Sequence, residues 1–175
     1  MKQKIWAKTL LTSYNCLDNI ASAIDSLVVN QGVNSSRNKL STLENAEKII
    51  NLIQRKKLLI NLKVLIENIM SKIDANNARL LVLKYFDRLK TEVMIEVLSM
   101  TRRTFFRRVD RALEQFGNEL VASGYDHDSL NLVLGKENWI KEIFNGFNTE
   151  EAEEEAGISE VAPVLSCLSI KPKMA

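Results

Sequence analysis

The first 160 residues contain no proline; the two in the chain, Pro163 and Pro172, stand near its C-terminus. A proline ring removes a backbone donor and clashes with the preceding turn, so a stretch this long without one leaves continuous helix open to the chain. Glycine is sparse as well, with 6 in 175 residues. Apolar residues recur at three- and four-residue steps, and nothing resembles a string of short strands with turn signals. The expected fold class is all-α.

The first helix is expected from about Gln3 to Val29, because Leu10, Tyr14, Leu17, Ala21, Ile24 and Val28 share one face. Asn30 to Ser36 is rich in turn-forming residues and should break it. Ser41 and Glu44 have the spacing of a capping box, so a second helix should start at Ser41 or Thr42. Its apolar residues (Ala46, Ile49, Ile50, Ile53, then Leu58, Leu62, Leu65, Ile69 and Ile73) run on through a charged stretch at Gln54–Lys57, where a kink or split is expected. The two helices are expected to fold back as an antiparallel hairpin. Asp74 is the expected N-cap of the next element. Three close helices follow: Arg79 to Arg88, a short one from Thr91 to Leu98, and a long one from Thr101 to about Ala122. Beyond Gly124 come a weak helical stretch and a helix from Lys136 to Phe147. The expected division is residues 1–73 as hairpin, 74–123 as a central helical domain, 124–148 as a helical extension, and 149–175 as an acidic, disordered tail.

A hydrophobic fraction of 46% is enough for a packed core. Cys16 and Cys167 lie far apart without metal-ligand spacing, which fits a reducing compartment better than a disulfide framework. The N-terminal segment lacks the apolar run of a signal peptide, and no stretch approaches the ~20 apolar residues of a membrane span. A cytoplasmic protein with no membrane partner is expected.

The net charge of +2 hides an asymmetry. Arg102, Arg103, Arg107, Arg108 and Arg111 crowd residues 102–111 against a single Asp110, while Glu150, Glu151, Glu153, Glu154 and Glu155 crowd residues 150–155. At 100° per residue, Phe105, Val109, Ala112 and Phe116 fall on one arc of the long helix, with Leu113 and Leu120 beside it. Arg103, Arg107 and Arg111 fall on the opposite arc, flanked by Thr104 and Arg108. The short preceding helix should bury Met94, Val97 and Leu98, with Met100 in the turn and Thr101 as N-cap. A short helix, a tight turn and a longer helix make the plan of a helix-turn-helix. Arginines at the start of such a helix suit guanine O6 and N7, and those further along suit phosphates. The candidate DNA-binding residues are Thr101, Arg102, Arg103, Thr104, Arg107, Arg108 and Arg111. Five arginines with almost no lysine favour anion binding over a merely solvated face, and a rigid helix favours duplex DNA over RNA.

The block resembles region 4 of sigma-70-type RNA polymerase sigma factors and the small regulators built on it. The family's acidic helix, its Leu-Gly-Ile-Ser turn and its basic helix ending Arg-Ala-Leu correspond to Glu92 through Glu96, to Leu98-Ser99-Met100-Thr101, and to Arg108 through Leu113. Leu83-Lys84-Tyr85-Phe86 is similar to the family's Leu-Arg-Tyr-Phe segment. The resemblance covers about Asn77 to Phe116. Ile95 replaces the usual small residue, Ser99 replaces the turn glycine, and Asn76-Asn77-Ala78-Arg79 stands where the family has a proline and a Glu-Arg-Glu run. The first 73 residues do not resemble the sigma region that melts promoter DNA. The resemblance implies a DNA-binding transcriptional regulator, with RNA polymerase as a further partner and the hairpin serving polymerase contact or homodimer formation.

Other residues read as structural. Phe106 is expected to pack on the preceding helix. His127 is expected in a turn that caps the next helix. Trp6, Trp139, Phe144 and Phe147 are expected in core or interface, and Cys16 in the core. No residues are arranged for catalysis, metal or cofactor binding, so no enzyme is expected. The glutamate run reads as a solvated tail, or more sharply as a shield for the arginines. A helical adaptor that docks on RNA polymerase or another protein without touching DNA is the alternative.

Overall fold

The computed structural model describes residues 2–33 and 41–155, the last six of these by backbone alone. Every regular element among them is helical: α1 (Lys2–Val33), α2 (Thr42–Lys72), α3 (Ala75–Leu81) running into a π-helical turn (Val82–Phe86), α4 (Thr91–Val97), α5 (Arg102–Ala122), α6 (His127–Leu134) and α7 (Asn138–Glu155). No helix among them is long and apolar enough to cross a membrane. The described residues divide into two compact units, one drawn from 11–112 and one from 2–10 with 113–155. The breaks expected near residues 73 and 123 coincide with helix ends, whereas α1 and α5 each contribute to both units.

In the unit of residues 11–112, α1 and α2 pair antiparallel, as expected. Tyr14 donates to Glu67 (2.7 Å), Asp18 meets Lys63 (2.6 Å), Asp25 meets Lys56 (2.6 Å) and Gln31 donates to Asn45 (2.6 Å), so partners descend α2 as they ascend α1. Exposed pairs of this kind contribute about 0.2–1 kcal/mol each. Leu59, Leu62, Ile66 and Ile69 are buried along α2, with Ile73 at its C-cap, and Leu17, Ala21 and Ile24 are buried on α1. At about 1.5–3 kcal/mol per side chain, that burial holds the hairpin and the polar rungs set its register. The helix ends follow local chemistry. Ser41 and Glu44 form the capping box, and Asp74 accepts from the N–H groups of Asn76 and Asn77.

Several boundaries differ from expectation: the helix expected from Arg79 to Arg88 starts at Ala75 and becomes π-helical from Val82 to Phe86. α1 continues to Val33 through the turn-rich Asn30–Gly32, and α2 crosses Gln54–Lys57 without a break. Neither stretch is buried: the first is tied to α2 by the Gln31–Asn45 bond, and the second contains no helix breaker and pairs Lys56 with Asp25. α7 continues through Glu155, so the backbone of the glutamate run is helical where a disordered tail was expected from residue 149. The expected tail from residue 156 onward, with Cys167, lies outside the described residues.

In the other unit, Trp6 is fully buried and donates to His127 Nδ1 (2.9 Å), with Phe144 at 4.5 Å from its ring centroid. His127 therefore belongs to this aromatic cluster. The capping role falls to Asp126, whose carboxylate accepts from Ser129 N–H. α5 ends at Gly124, whose φ of 87° only glycine adopts without strain.

Leu59→Ala should cost about 2–5 kcal/mol in a urea titration, because the side chain it removes is fully buried on the hairpin seam. Acid should loosen the start of α2. Bonds from Ser41 hold the Glu44 carboxyl below its ordinary 4.5, so its stabilisation is present above that value and lost as pH falls through the lowered one. The Ser41 amide resonance should report the loss; an amide shift that stays flat down to about pH 1 would contradict it.

Candidate functional site

α5 is built with one dry side. Phe105, Val109 and Ala112 are buried in the unit of residues 11–112, and Leu113, Phe116 and Leu120 in the other. All six lie on the arc expected from the sequence. Arg103, Arg107 and Arg111 leave the helix on the opposite side and are exposed, as are Arg102 and Arg108. Burial of one face thus turns the other, with its guanidinium groups, to the surface. Arg103 to Arg111 spans about 12 Å of helix axis.

Thr101 begins the helix. Its hydroxyl oxygen accepts from Thr104 N–H (3.3 Å) and its O–H donates to Thr104 Oγ1 (2.9 Å). Both threonines are thereby tied to the helix start: Thr101 is exposed and Thr104 half-buried. Of the seven candidate residues, Arg103, Arg107 and Arg111 form the row, Thr104 and Arg108 flank it, and Thr101 and Arg102 sit at its head. Arg102 is turned toward Phe106, with its guanidinium 5.9 Å from the ring centroid.

The link from α4 to α5 is short and hydrogen-bonded. Leu98 N–H donates to Met94 O, Ser99 N–H to Glu96 O and Met100 N–H to Ile95 O. Ser99 has a φ of 48°, in the left-handed region where a β-carbon is disfavoured. The turn between α4 and α5 thus holds a serine in a conformation that glycine would adopt without strain. Met94 is fully buried, and Leu98 and Met100 are half-buried. Upstream, the Tyr85–Phe86 segment lies in the π-helical turn, and Phe86 stacks on Tyr14 at 4.0 Å while its carbonyl accepts from Asn15.

Some placements depart from expectation. Val97, expected in the core, is 53% exposed, and Val93 one turn earlier is 42% exposed. A seven-residue helix buries only a narrow stripe, and Met94 occupies it. Phe106, expected against the preceding helix, is 47% exposed and meets Phe105 edge-on at 5.4 Å. On the helical wheel it falls between the dry and cationic arcs, a borderline position that gave no reason to place it at the surface. Cys16 is half-buried, neither core nor exposed nucleophile. Trp139 is half-buried and donates to the buried Glu137 (2.8 Å). Among the described residues no three His, Cys, Asp or Glu side chains gather as a metal site.

No family model, curated protein or solved structure matches the chain.

Two substitutions test the geometry of the turn. Ser99→Gly should raise stability by about 1 kcal/mol by relieving the left-handed strain. Thr101→Ala should lower it by about 1 kcal/mol through loss of the cap, and Thr101→Ser should lose little. Urea midpoints of the three variants measure both effects; a destabilised Ser99→Gly would mean that the serine makes a contact worth more than the strain.

Proposed function

We propose that this chain is a regulator of transcription that binds duplex DNA through α4 and the first half of α5, a helix-turn-helix of the sigma region 4 type. The observation that carries the reading is the disposition of α5: a continuous buried apolar stripe on one side and five exposed arginines in the first ten positions. The major groove, about 12 Å wide, admits an α-helix, and the row of Arg103, Arg107 and Arg111 would lie along it. In this reading Arg103 and Arg107 reach base edges, Arg111 and Arg108 hold phosphates, and Arg102 with the capped helix start adds to the attraction for the backbone. In this reading the short hydrogen-bonded turn sets the angle at which α5 is presented, and α4, whose Met94 is buried, supports it.

Arg103→Ala and Arg107→Ala should each weaken specific binding by about 1–3 kcal/mol and relax preference at one base pair. Arg111→Ala should weaken all sequences alike and lower the salt slope by about one. Selection of duplexes from a random pool supplies the site, and mobility shifts across a salt series measure the losses. Unchanged binding by the Arg103→Ala, Arg107→Ala double variant would show that another surface is used.

The exposed Val93, Val97 and Phe106 favour a second reading, in which this region docks on RNA polymerase or another protein without touching DNA. Weak retention on heparin and no shift of random duplex at low salt would favour it over the first.

A further inference from the structure

Helix α2 has two apolar faces, and the α1–α2 hairpin uses only one. The inner face carries the buried Leu59, Leu62, Ile66, Ile69 and Ile73. On the opposite side stand Leu43, Ala46, Ile50, Ile53, Lys57, Ile60 and Val64, at alternating steps of three and four. Leu43 is 70% exposed, Ile50 and Ile53 52% each, Ile60 45% and Val64 47%. A surface helix with a single buried stripe needs no second one, and apolar side chains scattered singly do not fall into register. The mean step of 3.5 residues is that of a coiled-coil seam. It runs for three heptads, about 32 Å, the length at which such a pattern becomes a credible pairing surface.

We propose that this outer seam binds α2 of a second copy of the chain in an antiparallel coiled coil. The seam's one polar member sets the orientation. Parallel, in-register pairing would put the two Lys57 ammonium groups against each other. Antiparallel pairing with Ile50 opposite Ile53 of the partner subunit sets Leu43 opposite Ile60 of the partner subunit and Ala46 opposite Lys57 of the partner subunit, and leaves Val64 beyond the paired stretch. The small Ala46 leaves room for the lysine stem, and Glu47, also exposed, stands next to it to receive the ammonium. A two-fold axis makes this charge pair twice. One lysine among apolar seam positions is a recognised means of fixing register at some cost in stability. The pairing does not depend on DNA binding, although a dimer would carry two arginine faces where one module reads few base pairs.

Sedimentation equilibrium of the full chain, over a hundredfold range of concentration and without DNA, tests it. The wild type should fit a monomer–dimer equilibrium. Ile50→Glu with Ile53→Glu should give a monomer of unchanged helical circular dichroism. Lys57→Glu should raise the dissociation constant about tenfold or more, and adding Glu47→Lys should restore it. Because the charge swap leaves the apolar seam intact, it remains informative if the double glutamate variant fails to fold. A wild type that stays monomeric throughout, including one that dimerises only after residues 156–175 are removed, would overturn the proposal. So would a dimer indifferent to the seam substitutions, or one that the charge swap does not rescue, which would rule out the antiparallel register.

Discussion

The dry stripe of α5 is the constraint on which the rest of the structure depends. Phe105, Val109 and Ala112 serve one compact unit, and Leu113, Phe116 and Leu120 the other. No rotation of the helix about its axis can expose the stripe without unpacking both units. That fixes the direction in which Arg103, Arg107 and Arg111 leave the helix. The proposed site is therefore a consequence of core packing: its arginines are displayed because the aromatic and aliphatic residues on the other side have nowhere else to go. Loop-borne arginines would need contacts of their own to hold them in a row.

The α1–α2 hairpin divides its labour differently. Its hydrophobic seam provides the stabilisation, and its polar rungs decide which residues face each other. Tyr14 shows how closely the rungs are coupled to burial: burial, first, and then the bond to Glu67 push its hydroxyl above the ordinary tyrosine range, so it stays protonated and remains a donor. Asp18 does the same for Lys63 in the opposite sense of charge, holding the ammonium protonated to higher pH. Both effects leave the rungs intact at neutral pH, where neither group is near titration.

Where the sequence was legible, one physical signal dominated. The α5 stripe, the α1 face, the capping box at Ser41–Glu44 and the caps at Asp74 and Thr101 each express a single local rule without a competitor. The failures occur where two rules compete. On α2, apolar residues occupy two faces, so a single stripe drawn from Leu43 to Ile73 mixes residues that are buried with residues that are exposed. At Asn30–Gly32, turn propensity points one way and the Gln31–Asn45 bond to α2 the other. His127 looked like a turn residue because its neighbours are both aspartates, and nothing local tells of Trp6, 121 positions away in the chain. Phe106 and Val97 lie at the borders of their helical faces, where a few degrees of rotation decide between core and solvent. The site was legible in its charges and illegible in its apolar edge for that reason.

Within five residues the chain breaks two local preferences at once. Ser99 adopts a left-handed conformation that glycine would take without strain. Three positions later α5 begins with Arg102 and Arg103 and has no acid in its first turn, although a helix N-terminus carries partial positive charge and favours carboxylates. Each cation there opposes the helix dipole, and the arginines that follow at 107, 108 and 111 oppose one another. A sequence shaped for stability alone would place glycine at 99 and an acid at 103. Departures from local preference without a compensating contact in the fold collect at functional sites. An anion seated at the head of α5 would relieve the dipole conflict there. Phosphate oxygens of a nucleic acid backbone carry negative charge, and in the proposed reading they take that place at the helix start.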